Sequence, residues 1–431
     1  MSAGYRGRGH GRGQGRGRGR GRGGHASYSG NRTFWGQQGS GRSSINRQLY
    51  DDLVYAVETD EPEAVAKFRR YVIKIARHLN ELRENKRCLI HDACNDGQLV
   101  IVEVLVDHGA RVDVRDDVGR TCLHYAAAEG HADVVKFLIR HRADVNARDN
   151  ERHTPLHLAS KHVDKMPTTG NDDDDEYDVS RRRPIASSRQ QYDDSPDVDT
   201  FLDVVKALLR SGADVNLTTS GGFTSLHFAS REGHAGIAHE LIRDDADVDA
   251  TVDGGWTALH YAATNNHLPI VRMLIQNKVS VTPLEENGRT ALHLASEGGH
   301  LPLLGELVSY RQQLSHGDLH GWTVLHMEAM SGRCSSVRHL LSCGADVNRC
   351  DNDGWTPLHS AVFYGDRNTI EAIARHRNCD VSATCRPDES DDKKITAGMT
   401  PASMAEKFQK QEAINFFKQF EQEKTTEAKR K

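Results

Sequence analysis

The residues of this 431-residue chain best suited to chemistry are its 24 histidines and eight cysteines. Their spacing argues against an active site. His91, His124, His157, His227, His260, His293, His326 and His359 stand 33 residues apart, save one interval of 70, and His131, His234 and His300 each follow a glycine in the same rhythm. A metal centre needs three or four ligands converging on one point, whereas a fixed long interval puts each histidine at the same place in a successive unit. These side chains are expected to bond backbone groups at turns, with no metal bound. The cysteines, at 88, 94, 122, 334, 343, 350, 379 and 385, show no Cys-x-x-Cys pairing and read as reduced thiols of an intracellular protein. Gly-x-Ser-x-Gly, phosphate-loop, His-Glu-x-x-His and kinase motifs are all missing from the sequence, so a non-enzyme without cofactor is expected.

A different chemistry is concentrated at the N-terminus. Residues 1–50 hold ten arginines and no Asp, Glu or Lys, so a formal charge of −5 for the chain divides into +10 there and −15 beyond. Arg6, Arg8, Arg12, Arg16, Arg18, Arg20 and Arg22 alternate with glycine, with Tyr5, Tyr28, Phe34 and Trp35 scattered around them. Glycine maximises backbone freedom and no apolar surface offsets the cost of ordering it, so residues 1–45 are expected to be a disordered tail. Its guanidinium groups suit phosphates and exposed bases. The stretch resembles the arginine–glycine boxes of RNA-binding proteins, which implies an RNA partner. A tail read through methylated arginine, and a merely solubilising one, are the alternatives.

The elements that position the histidines repeat with them. The phrase Thr-x-Leu-His-x-Ala begins at Thr121, Thr154, Thr224, Thr257, Thr290 and Thr356, reads TVLHME at Thr323, and opens with Cys88 in place of threonine at CLIHDA. Threonine is expected to cap a short helix, Pro155 or Pro357 suits its first turn, and Gly130, Gly233, Gly299 and Gly332 end it in the left-handed conformation. A second apolar helix follows, as at Val134–Ile139, and then a turn such as Ala143-Asp144-Val145-Asn146. With 37% apolar and 27% charged residues the chain can build a thin continuous core. It contains no apolar run of about 18 residues, so no membrane span is expected.

The Thr-Pro-Leu-His phrase, the Gly-His after it, the Gly-Ala-Asp-Val-Asn turn and the 33-residue period together resemble the ankyrin repeat, over about residues 49–420. The resemblance implies an all-α repeat solenoid of about nine helix-turn-helix units with β-hairpin fingers, flanked by disordered segments. On this reading 49–85 is a degenerate opening cap and 86–380 holds the repeats, with a disordered insertion at about 161–200. A polar insertion follows at 381–398, a closing cap at 399–422 with Ile414, Phe417 and Phe420 on its buried face, and a charged tail at 423–431. Glu328 stands where neighbouring units have alanine, and a carboxylate there predicts a weak point unless it is paired.

The resemblance also implies that the residue before each signature threonine, and the two before the helix-ending glycine, face a concave partner-binding surface. Here these are Arg120, His153, Phe223, Trp256, Arg289, Trp322 and Trp355, with Phe363 and Tyr364 in the last full unit. Tryptophan and arginine are the residues most enriched at binding hot spots; the alternative is a structural ladder of stacked rings. Asn146, Asn216 and Asn348 each follow a leucine by eight residues, a spacing similar to that read by an asparagine hydroxylase, and Ser195 before Pro196 offers a phosphate acceptor. The expected protein is a monomeric adaptor of the cytoplasm or nucleus. It binds a protein partner on the concave face and RNA through its tail. A direct nucleic-acid role for the repeats is the alternative, against which their acidity counts, and a pure scaffold with an inert tail is the third.

Overall fold

The computed structural model describes residues 87–161, 196–309, 314–385 and 398–430, with scattered positions between 66 and 80. The arginine–glycine tail with Arg6 to Arg22, most of the opening cap, most of the 161–200 insertion including Ser195, and residues 386–397 lie outside the described residues.

Eighteen helices follow one another in nine pairs among the described residues. The pairs are α1 (Leu89–Asn95) with α2 (Leu99–Asp107), α3 (Cys122–Ala128) with α4 (Ala132–Arg140), and α5 (Pro155–Ser160) with α6 (Pro196–Arg210). Next come α7 (Ser225–Glu232) with α8 (Ala235–Arg243), α9 (Ala258–Thr264) with α10 (Leu268–Gln276), and α11 (Ala291–Glu297) with α12 (Leu301–Val308). The last are α13 (Val324–Met330) with α14 (Cys334–Ser342), α15 (Pro357–Tyr364) with α16 (Arg367–Ala374), and α17 (Pro401–Lys407) with α18 (Gln411–Arg430).

Helices of six to nine residues are not stable alone in water, so burial must hold them. In α9, Ala258, Leu259, His260, Ala262 and Ala263 are buried, whereas α10 buries only Ile270, Val271 and Leu274. The first helices are thus enclosed by the adjoining units, which their small residues permit, and the second helices keep one wet face. Each fully buried leucine or isoleucine contributes about 1.5–3 kcal/mol, and the array sums these from unit to unit. The helix-ending glycines have the expected left-handed backbone, with φ of +91° at Gly233. Gly233 meets a second demand, because a Cβ there would come within 2.5 Å of the His267 ring. That ring reaches back to the carbonyl of Arg231 at 3.2 Å and so ties one unit to the one before.

The fingers differ from the expected β-hairpins. Each closes at its base on one bond, such as Asp149 N–H to the His153 carbonyl (2.9 Å) or Asp351 N–H to the Trp355 carbonyl (2.9 Å), with a turn bond inside it, Arg152 N–H to the Asp149 carbonyl (2.9 Å) or Gly354 N–H to the Asp351 carbonyl (3.1 Å). Beyond an isolated bridge between Thr251 and Thr257, no strand ladder forms among the described residues. The loop reverses too soon for a second pair. The fingers are instead stitched side by side, with Asn150 N–H on the Val118 carbonyl (2.8 Å), Glu286 on Gly254 (2.8 Å) and Asn352 on His320 (3.0 Å). This stitching spans the insertion: Ser220 N–H meets the Glu151 carbonyl at 2.8 Å, so residues on either side of it lie in adjacent units.

Two expectations at the C-terminus change. The segment read as a charged tail continues as helix to Arg430, where Arg375, the residue after α16, bonds Glu423 at 2.9 Å and Gln419 bonds the same carboxylate at 3.0 Å. The buried face of α18 is Ala413, Phe416 and Phe417; Ile414 and Phe420 are half-buried, with Phe420 stacked on Phe416.

Candidate functional site

The signature histidines form a lock. Nδ1 of His124 accepts the Thr121 backbone N–H at 3.0 Å and faces the threonine hydroxyl at 2.9 Å, while Nε2 lies 3.1 Å from the His153 carbonyl of the next finger. An acceptor at Nδ1 leaves the proton on Nε2, so the ring is neutral in one tautomer. His157, His227, His260, His293, His326 and His359 repeat the arrangement, and His91 does so on Cys88. Burial pushes His124, His157, His227, His260, His293 and His326 down to about 4. The threonine therefore caps chiefly through its histidine; Thr154 and Thr257 also accept the N–H three residues on. With both ring nitrogens engaged, these side chains serve the frame.

One residue ahead of the lock, the column is less uniform. It begins a unit earlier than the threonine phrase indicates, because Arg87 precedes Cys88. The Arg87 guanidinium lies 4.2 Å over the Tyr125 ring and its Nε donates to the phenol oxygen at 2.8 Å; the phenol in turn donates to Asp116. Arg120 lies 3.5 Å from Asp149, and the His153 ring is 3.4 Å from the same carboxylate. In the middle units a ring ladder forms: His153 with Phe228 (6.1 Å), Phe228 with Phe223 (5.3 Å), Phe223 with Tyr261 (5.7 Å) and Tyr261 with Trp256 (5.1 Å). Arg289 pairs with Glu285 at 3.0 Å and Glu297 at 2.8 Å. Trp322 donates its indole N–H to Asp351 at 3.0 Å, and Trp355 packs 5.4 Å from Phe363 and 6.5 Å from Tyr364, which is 56% exposed. Phe363 also meets Phe408 (4.8 Å) and lies under Lys410.

Behind the column runs a row that sequence reading passed over. Asp116, Asp149, Glu285, Asp318 and Asp351 each stand five residues before a signature threonine. One oxygen of each takes two backbone N–H groups of its own finger, as Asp351 does from Asp353 (3.0 Å) and Trp355 (2.7 Å). Burial pushes the Glu285 carboxyl up, but its bonds to Arg289 outweigh that and hold it below the usual range. For Asp351 burial wins and the neighbouring Asp353 charge adds to it, so its carboxyl lies above the usual range.

Glu328 is fully buried, as its position implies, but it is paired. Its Oε1 accepts from Ser296 Oγ at 2.6 Å and from Arg333 at 3.2 Å. Arg333 occupies the place of His131, His267 and His300 in other units, and like them it reaches the end of the preceding first helix, bonding the Ser296 carbonyl. The two departures from the pattern thus compensate within one unit. The turn asparagines are clasps as well. Asn216 donates to the Asp245 carbonyl (3.2 Å) and accepts the Asp247 N–H (2.8 Å), and Asn146 and Asn348 do the same to Gly212 with Asp214 and to Asn378 with Asp380.

No helix among the described residues is long and apolar enough to cross a membrane. The family profile described as ankyrin repeats, in groups of three copies, matches residues 53–149, 90–166, 199–285, 236–318, 280–351 and 312–385. No curated protein matches the chain. Arrays of such repeats act generally as protein-interaction scaffolds. With matched segments over most of its length, the chain belongs to the ankyrin-repeat family.

Proposed function

We propose that this protein is a non-enzymatic adaptor whose column face binds a protein partner while the arginine–glycine tail tethers the complex to RNA. The observation that carries the first half is the division of labour within each unit. Threonine and histidine are consumed by the lock, whereas Trp322, Trp355 and Tyr364 lie outside the ring ladder, half-buried or exposed, on neighbouring fingers and a first-helix end. Large rings held in place by polar contacts are the usual anchors of protein interfaces. The second half rests on composition: ten arginines among 50 residues with no acid beside them suit phosphate and exposed bases.

RNA affinity measured against salt concentration for the full chain and for a chain beginning at Leu49 tests the tether. Loss of binding on removing the tail supports it; equal affinity would move the nucleic-acid site onto the repeats. That second reading has the −15 charge of residues 51–431 against it.

A further inference from the structure

The column and the carboxylate row interlock across units. Arg87 covers Tyr125, whose phenol bonds Asp116 of the next finger, and Arg120 faces Asp149 of the next finger at 3.5 Å. The column arginine of one unit thus reaches the carboxylate of the following unit directly at Arg120 and through a phenol at Arg87. Two later steps depart from this: Trp256 precedes Glu285, which Arg289 of the same finger pairs, and Trp322 precedes Asp351, which has no such arginine. Trp322 takes the arginine's place, and Asp351 is 7% exposed with an indole N–H, its own finger's N–H groups and the like charge of Asp353 around it. No cation of the chain pairs with Asp351 among the described residues. Asp353 is exposed, and Trp355 and Tyr364 stand beside the same finger.

Resting on the reading of this face as a protein-binding surface, we propose that Trp322, Asp351, Asp353, Trp355 and Tyr364 form a receptor for an arginine side chain of a partner protein. The partner supplies the guanidinium that Arg120 supplies to Asp149, and Arg87 to Asp116 through the Tyr125 phenol. A guanidinium suits this place better than an ammonium because it is planar, stacks on a ring and presents two N–H groups to a carboxylate. The chain shows a related contact at its other end, where the Arg87 guanidinium lies 4.2 Å over the Tyr125 ring with its Nε on the phenol.

The test uses the full chain and a short fluorescein-labelled peptide of alternating arginine and serine, with lysine and citrulline counterparts, read by fluorescence anisotropy. The arginine peptide should bind, the lysine peptide at least about fivefold more weakly, and the neutral citrulline peptide not at all. Trp322→Arg places a guanidinium of the chain on Asp351 and should abolish binding without lowering the unfolding temperature. Asp353→Asn, at an exposed position, should weaken binding severalfold and separates recognition from any folding defect. Equal binding of the arginine and lysine peptides, or undiminished binding by Trp322→Arg, would overturn the proposal. A photo-crosslinking phenylalanine analogue at position 364 identifies the occupant. Crosslinking to the peptide supports a partner's arginine, and intramolecular crosslinking to residues 1–50 in its place overturns it. If Trp322→Arg loses the peptide yet retains a protein partner that Trp355→Ala loses, the wider adaptor reading stands on other contacts.

Discussion

The unit that begins at Thr290 and the one that begins at Thr323 share a frame and differ in what they attach to it. In both, the histidine accepts the threonine N–H and meets the carbonyl of the next finger's column tryptophan, Trp322 for His293 at 3.1 Å and Trp355 for His326 at 3.0 Å. In the first, Ala295 packs in the helix interface, His300 reaches back to the preceding unit, and Arg289 saturates Glu285. In the second, Glu328 and Arg333 replace Ala and His as an ion pair, and Trp322 replaces Arg in the column. Units of a solenoid can therefore change what faces a neighbour or a partner while the lock stays the same. The changes at neighbour-facing positions come in pairs, and the change in the column leaves a carboxylate without a cation.

Acid should erase the frame of both units together, and this is the largest effect expected. Six of the lock histidines have a folded value of about 4 against an ordinary 6.5, so the unfolded chain takes up more protons between those values. Their contribution is complete above about pH 6.5 and is lost as the pH falls towards 4. Each steepens the loss by up to about 1.4 kcal/mol per pH unit. Denaturant unfolding followed over this range should show a steep decline, and hydrogen exchange should find both units failing in the same window. If the unit at Thr323 opened alone, the shared lock would not be what holds it.

Arg333→Ala should strike the second unit and its seam with the first, where Arg333 also bonds the Ser296 carbonyl. It strands a buried carboxylate that has one other partner, at a cost on the order of 3 kcal/mol. The double change Glu328→Ala with Arg333→His restores the pattern of the first unit and should return stability to the starting value or above it. Hydrogen exchange over α13 and α14 reads both, and an unaltered Arg333→Ala would mean that the pair carries no weight. Arg289→Ala is a smaller test in the first unit. It removes a partner from Glu285 and should cost about 2 kcal/mol in thermal unfolding. Trp322→Ala, at the same place in the second unit, loses an indole N–H to Asp351 and part of a ring, and should cost about 1 kcal/mol.

What could be read from the sequence follows from what is local. The threonine phrase, the glycine after it and the apolar stripe each act within one unit, so a fixed register was enough to place nearly every helix and the left-handed glycines. Contacts between units escaped. Arg333 acts on Glu328 and on the preceding unit, which no pattern inside one unit reveals, although its standing in for a histidine in the unit that also loses an alanine is a readable sign. Arg87 is legible one step before the Cys88 phrase, but a column counted from the threonines alone starts at Arg120. The carboxylate row recurs five residues before each threonine in five units, but Thr219 and Val252 interrupt it where the ring ladder takes over. Finger pairing could not be inferred, since loop length alone does not say that only one backbone pair will form. The helical continuation to Arg430 depends on Arg375, some 48 residues before Glu423 in the sequence.

The claim that the frame builds and the column binds is tested most directly by Trp322→Ala combined with Trp355→Ala in the full chain, assayed by crosslinked affinity purification beside thermal unfolding. The account predicts that partners crosslinked to the unaltered chain disappear while unfolding stays cooperative and within a few degrees of the original. Retention of the same partners by the double variant would contradict it, and so would their loss only together with the helical fold.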